Sequence, residues 1–165
     1  EIEQAMELGI RDAKHLNCDL LLATDPDCDR VGVGVKSGCE YLLLSANEIG
    51  MLLLEYICKR RSASGSMPCR PLMMKTIVTI DMAERIASEY GVDTVNVLTG
   101  FKYIGEQIRL FEKQGTYEYL FGFEESYGCL VGTYSRDKDA VGAVMALCEA
   151  AVYYRTKGQI GRAHV

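Results

Sequence analysis

The chain has 165 residues, 48% of them hydrophobic and 25% charged, with a formal net charge of -5. That length supports a core without disulfide or metal staples, and the composition is that of a folded globular chain rather than a disordered one. The negative balance excludes a general attraction to nucleic acid or acidic membrane surfaces, so an anionic ligand needs a local cluster of cations.

No apolar run approaches the roughly 18 residues of a membrane span. The opening "EIEQAMELGIRDAKHLN" lacks the basic start and apolar region of a secretory signal. Seven cysteines without a C-x-x-C pair argue against a disulfide framework or a zinc site. They are expected to be reduced, mostly buried thiols of a cytoplasmic protein.

In chain order, Ile2, Ala5, Met6, Ile10 and Ala13 fall at helical spacing and predict a helix over 1–16. His15 reads as a surface residue at its end. Residues 20–24 predict a short strand, 31–35 a second with alternating glycines, and "KSGCE" a turn into a third at 41–44. Ser45 with Glu48 has the spacing of a capping box and opens a helix to about Lys59. "KRRSASGSMPCRP" is the one linker-like stretch, its "KRRSAS" a solvated loop.

Residues 72–80 predict a strand, and Asp81 with Glu84 repeats the capping pattern for a helix to Tyr90. A strand over 92–97 follows, then a helix capped by Thr99 and running to about Lys113, with Phe101, Ile104, Ile108 and Phe111 on one side. After a strand at 117–123 comes a glycine-rich loop over 124–136. The last helix, about 138–155, carries Ala140, Val141, Val144, Leu147, Cys148 and Ala151 on one stripe. His164 belongs to an unremarkable tail. Alternating strands and helices imply an α/β fold with helices packed on a mixed, mostly parallel sheet, where ligands gather at the carboxyl ends of strands.

Three loops at such positions carry chemistry. In "TDPDCDR", Asp25, Asp27 and Asp29 stand at alternate positions, and a turn begun by Pro26 can converge their carboxylates. Converged carboxylates repel unless a cation neutralises them, and Mg²⁺ takes a few carboxylates plus water or phosphate oxygens. The alternative is a polar turn whose aspartates cap nearby amides. An EF-hand beginning at Asp25 fails, because Arg30 and Lys36 occupy its glycine and glutamate positions. The loop is similar to the D-x-D-x-T loop of haloacid dehalogenase-type phosphatases, with Asp29 in place of threonine.

In "FGFEESYG", Glu124 and Glu125 are adjacent, and one carboxylate can accept from two vicinal sugar hydroxyls, with Ser126 adding a donor and acceptor. A solvated acidic turn is the alternative. In "SRDKDAVGAV", Lys138 lies at a helix start, where a cation opposes the macrodipole; it is either exposed or part of an anion site. Lys102 in "LTGFKYIG" is placed in the same ambiguous way. The sequence has no P-loop and no G-x-G-x-x-G.

Taken in order, "TDPDCDR", "LTGFKYIG", "FGFEESYG" and "RDKDAVGAV" resemble the α-D-phosphohexomutase family, and most closely its bacterial phosphoglucomutase and phosphomannomutase members. The resemblance implies the end of the family's second domain over 1–35, its third, sugar-binding domain over 36–157, and a tail over 158–165. It implies that Asp25, Asp27 and Asp29 hold Mg²⁺ and that Arg30 lies beside the transferred phosphoryl group. Thr99, Gly100 and Lys102 correspond to a substrate-contacting turn, Glu124 and Ser126 to the residues that hold the sugar hydroxyls, and Lys138 to a lysine near the reacting oxygen.

The implied reaction moves phosphate between C1 and C6 of a hexose phosphate through a hexose 1,6-bisphosphate intermediate, starting from a phosphoserine. "GFEESYG" looks more like the phosphoglucomutase form of this loop than the Glu-Met-Ser form, which implies glucose ahead of mannose or a pentose phosphate. The family's Ser-His motif and its fourth-domain phosphate loop are absent. The expectation is therefore a fragment that lacks the first domain, most of the second and the fourth, and is inactive alone. The rival readings are a metal-dependent phosphatase and a non-catalytic sugar-phosphate binding module.

Overall fold

A computed structural model describes residues 3–158. Helix α1 (Glu3–Leu16) leads into three strands, β1 (Leu20–Thr24), β2 (Val31–Ser37) and β3 (Glu40–Leu44), which form an antiparallel sheet in that order. Then follow α2 (Ala46–Ala63), β4 (Pro71–Thr76), α3 (Met82–Glu89), β5 (Asp93–Val97), α4 (Phe101–Gln114), β6 (Glu118–Phe123), β7 (Cys129–Val131) and α5 (Ala140–Thr156). The second sheet has the order β5-β4-β6-β7, parallel except for β7. The expected tail and His164 lie mostly or wholly outside the described residues, as does Ile2.

Strand β4 is buried along its whole length, as a central parallel strand covered on both faces must be. Its side chains alternate. Met73 joins one core with Leu53, Leu54, Ile57, Phe121, Phe123 and Leu147, while Leu72 and Met74 join another with Phe101, Ile104, Ile108 and Leu130. The first lies under α2, α3 and α5, the second under α4, which makes the second sheet the middle of three layers. Each such Leu, Met or Phe contributes about 1.5–3 kcal/mol by leaving water. The three-stranded sheet shares the first core through Val31 and Val33. The expected division between residues 35 and 36 falls inside β2, which pairs with β3.

The capping box at α2 forms as the sequence predicts: Ser45 Oγ accepts from the Glu48 amide and the Glu48 carboxylate accepts from the Ser45 amide. Helix α2 runs four residues past Lys59, so most of "KRRSAS" is helical rather than loop. Gly100, not Thr99, is the N-cap of α4; its φ of 116° suits glycine, and no side chain caps the helix. The strand expected over 72–80 ends at Thr76, because 77–80 turn back. The loop expected over 124–136 holds the short strand β7, which closes a hairpin on β6.

Asp81 makes no cap. Its carboxylate accepts at 3.1 Å from Lys75, which is 1% exposed at the end of β4 and also donates to the Thr79 carbonyl and pairs with Glu84. On α5 the buried stripe is Ala140, Ala143, Leu147 and Ala150, whereas Val141 and Cys148 face solvent. Alanines and valines spread around the helix blurred that stripe. Nor are the cysteines mostly buried: Cys58 and Cys129 are buried, Cys18 is intermediate, and Cys28, Cys39, Cys69 and Cys148 are exposed, since all four lie in loops or on an outward helix face. All seven are free.

Helix α2 crosses β6 at Gly50, where an added Cβ would lie 2.0 Å from the Phe123 ring. Gly50→Ala gains helix propensity but forces that ring out of a filled core. It is expected to lower stability by about 1–3 kcal/mol, read as a lower urea midpoint.

Glu84 ionises below the usual carboxylate range, first because Asn96 donates to it at 3.0 Å and then because of Lys75. A depressed carboxylate stabilises the fold above its unfolded value, about 4.3, and that contribution is lost as pH falls through the folded value. Glu84→Gln is therefore expected to be less stable than the parent at pH 7. The gap should narrow progressively once pH drops below about 4 in a series of urea titrations.

Candidate functional site

The loop after β1 is a compact turn. Cys28 donates its amide to the Asp25 carbonyl and adopts a φ of 59°, which folds the chain back within four residues. Asp25 braces the turn from inside: one carboxylate oxygen accepts the amides of Asp29 and Arg30, and the other accepts Arg30 Nε at 2.7 Å. Burial of Asp25 opposes its ionisation, but the Arg30 guanidinium and these amides outweigh it and hold the carboxyl well below the usual range.

The turn brings one oxygen each of Asp25, Asp27 and Asp29 within 4.8 Å of one another, with Asp25 and Asp29 half-buried and Asp27 exposed. Three convergent carboxylates without nitrogen or sulfur donors suit a hard cation such as Mg²⁺. The donor set thus fits the expected metal.

The second loop is a tight hairpin. The Glu124 amide donates to the Gly128 carbonyl, enclosing three residues of which the last, Tyr127, has a φ of 69°. This is the arrangement of a turn followed by a left-handed residue. Glu124 is 6% exposed and accepts from Ser126 Oγ at 2.6 Å. Glu125 turns the other way, accepting from Thr76 and Thr79 at 2.6 and 3.3 Å. The two neighbouring glutamates therefore do not act as a pair.

The two loops meet. Arg30 and Gly128 form an antiparallel bridge, and the Val31 amide donates to the Tyr127 carbonyl. Lys138 lies just before Asp139, the residue that caps α5 by accepting from the amides of Val141 and Gly142. Its ammonium reaches Asp29 at 2.8 Å and Asp137 at 3.4 Å. Partial burial acts against its charge, but Asp29, Asp137 and Glu124 outweigh that and raise its pKa. Asp29, Arg30, Glu124, Ser126 and Lys138 thus occupy one cluster.

Thr99, Gly100 and Lys102 stand apart at the end of β5, on the same carboxyl edge of the second sheet but with β4 between them and β6. Among the described residues no hydrogen bond or ion pair joins them to the cluster; Lys102 packs over Tyr103. The close approach at Gly128 follows from the glycine itself, whereas two contributors escaped sequence reading: Asp137 as a second partner of Lys138, and the tie of Glu125 to Thr76 and Thr79. The last was hidden because "KTIVTI" reads as continuous strand.

Residues 45–162 match the family model described as phosphoglucomutase/phosphomannomutase, alpha/beta/alpha domain III. The chain belongs to that family. A phosphoglucomutase of Staphylococcus saprophyticus is 40% identical over 149 residues, 89% of this chain and 26% of that protein. A phosphoglucomutase of Staphylococcus epidermidis is 36% identical over 162 residues, 97% of this chain and 28% of that protein. A phosphomannomutase of Mycoplasmoides pirum is 32% identical, covering 90% of this chain and 26% of that protein.

The chain thus spans little more than a quarter of the length of these relatives. Among solved structures, a phosphoglucomutase/phosphomannomutase family protein of Burkholderia thailandensis superposes with a TM-score of 0.68 at 18% identity, covering 90% of this chain and 30% of that one. The fold is accordingly that of the phosphohexomutases, and the phosphatase alternative has no support from these likenesses. The family match starts at Ser45, directly after β3.

At Gly128 an added Cβ would lie 2.2 Å from Lys138 Cδ and 3.2 Å from a Glu124 carboxylate oxygen. Gly128→Ala is expected to lower stability by about 1–3 kcal/mol by pushing the lysine stem aside. Introduced into a Lys138→Ala background, the same change should cost measurably less, and a double-mutant cycle of urea midpoints reads the difference.

Proposed function

We propose that the chain is part of a phosphohexomutase that interconverts hexose 1-phosphate and hexose 6-phosphate through a hexose 1,6-bisphosphate. In this reading α1 and the three-stranded sheet are the end of the second domain, and the remainder is the third. The observation that carries it is the junction of the two loops: Arg30 bridged to Gly128, with Lys138 against Asp29 at 2.8 Å. The three convergent aspartates thus lie beside the buried carboxylate of Glu124, which supports a reading with one group for a cation and one for sugar hydroxyls.

Asp25, Asp27 and Asp29 would hold Mg²⁺, which when bound supplies Lewis-acid stabilisation of phosphoryl charge. Arg30 is the cation that faces the transferred phosphoryl group, donating charge-assisted hydrogen bonds to its oxygens. Glu124, kept in place by the hairpin and by Ser126, accepts from two neighbouring sugar hydroxyls. Because those hydroxyls exchange places when the sugar turns over, one carboxylate serves both phosphorylation positions. Lys138, drawn to Asp29 and Glu124, supports the reacting oxygen electrostatically or by proton transfer. Thr99, Gly100 and Lys102 contact substrate from the end of β5.

Glucose phosphate is the favoured substrate, on the "GFEESYG" form of the hairpin. A structure of the Aspergillus fumigatus N-acetylphosphoglucosamine mutase in complex with glucose 1,6-bisphosphate supports the bisphosphate; its TM-score to this chain is 0.58 at 17% identity, covering 86% of this chain and 31% of that one. The phosphoserine that starts the cycle and the loop that grips the distal phosphate belong to other domains, so the chain alone is inactive. A cytoplasmic location accords with seven free cysteines and with the lack, among the described residues, of a helix long and apolar enough to cross a membrane.

Supplying the missing amino- and carboxy-terminal segments in trans should restore conversion of glucose 1-phosphate to glucose 6-phosphate, and Asp27→Asn should abolish the restored activity. Full mutase turnover by the isolated chain would sink the fragment reading. Mg²⁺-dependent hydrolysis of a simple phosphate ester without any second segment would replace it with a phosphatase.

A further inference from the structure

The carboxylate of Glu125 is anchored outside the cluster. Thr76, fully buried at the last position of β4, donates to it at 2.6 Å, and Thr79, 2% exposed, at 3.3 Å. The two hydroxyls lie 2.7 Å apart, and the Thr79 amide donates to the Thr76 carbonyl, which closes the turn that carries both. Lys75 fixes the same turn from beneath through the Thr79 carbonyl at 2.9 Å, and is itself held by Asp81 and Glu84. A chain of polar contacts, buried at Lys75, Thr76 and Thr79, thus runs from the start of α3 through the end of β4 to the first residue of the hairpin loop.

Glu125 is the first of the three residues that the hairpin encloses, with Glu124 before it and Ser126 after it. The loop has no other side-chain anchor on the β4 side among the described residues. With Glu125 fixed, the backbone directs the Glu124 carboxylate and the Ser126 hydroxyl to the opposite side, toward Lys138 and the aspartate turn. A half-buried carboxylate with two hydroxyl donors and, among the described residues, no cation partner is costly to place without purpose. Here it makes the hairpin a rigid mount instead of a free turn.

We propose that Glu125 is a positioning residue, and that its tie to Thr76 and Thr79 sets the orientation in which Glu124 and Ser126 meet the sugar hydroxyls. This deepens the proposed function and rests on its assignment of Glu124. The mount acts on the arm of the hairpin that carries Glu124 and Ser126, whereas the cation cradle has an internal brace of its own at Asp25.

The test is steady-state kinetics of the full-length mutase with glucose 1-phosphate, each variant assayed well below its own unfolding midpoint. Glu125→Ala and Thr76→Val are each expected to raise KM for the sugar phosphate about tenfold, with half-saturation by Mg²⁺ unchanged. The double variant should be no worse than the worse single one, because both remove the same tie. Glu125→Gln should stay within about twofold of the parent, since its amide oxygen still accepts both hydroxyls.

A parental KM in both Glu125→Ala and Thr76→Val would overturn the proposal. So would a rise in KM matched by an equal rise in the Mg²⁺ requirement, the mark of general loosening. If Glu124→Gln leaves KM and kcat at parental values, the assignment of Glu124 itself fails, and that outcome is separable because it does not involve the tie.

Discussion

The backbone join between the aspartate turn and the hairpin is the constraint on which the candidate site depends. Arg30 bridges Gly128, the Val31 amide donates to the Tyr127 carbonyl, and the Ala140 amide donates to the Cys28 carbonyl at 2.9 Å. The first two seat the turn against the hairpin, and the third seats it against the start of α5. Asp29, Glu124 and Lys138 are therefore brought together by main-chain geometry, and their charges then adjust to one another. The order of cause matters, because partly exposed ion pairs contribute only about 0–1 kcal/mol each and could not by themselves hold three loops in register.

Within that frame the three aspartates have different duties. Asp25 has both oxygens engaged by the turn it belongs to, so it organises the cradle as well as lining it. Asp29 faces outward to Lys138 and, at 3.5 Å, to Arg30. Asp27 is the exposed member. Two side-chain cations thus already offset part of the carboxylate charge. A turn compensated in this way can keep its shape whether or not a further cation adds to the balance, as a preorganised site must.

Sequence patterning went furthest where local physics decides the outcome. The Ser45–Glu48 box, the apolar face of α4 and the short strand before the aspartate turn follow from spacing alone. The ends of elements were less legible: Gly100 displaced Thr99 as a cap because a left-handed entry replaced a side-chain bond, and Asp81 left its helix to pair with a buried lysine. The run of β-branched residues in "KTIVTI" could not reveal that Thr76 ends the strand. A bulge between Leu72 and Met73 in the β4–β6 register was equally silent, since no residue type announces it. For the site, the residue types were visible and their partners were not. Which of Glu124 and Glu125 turns toward Lys138 depends on a φ of 69° at Tyr127 and on two threonines some fifty positions earlier.

The region matched by the family model begins at Ser45, yet the physical unit does not begin there. Val31 and Val33 lie in one core with Leu53, Phe121 and Leu147, and the aspartate turn is clamped by a hairpin and a helix from beyond residue 120. Removing the three-stranded sheet would uncover that core and leave Gly128, Tyr127 and the start of α5 without their partners. Removing the matched region would leave the turn its internal bonds at Asp25 and Thr24 and take away its clamp from the hairpin and α5. The aspartate turn is thus sequentially outside the matched domain and mechanically part of it. A family boundary drawn from sequence records where similarity begins, whereas the cradle's geometry is set by contacts that cross it.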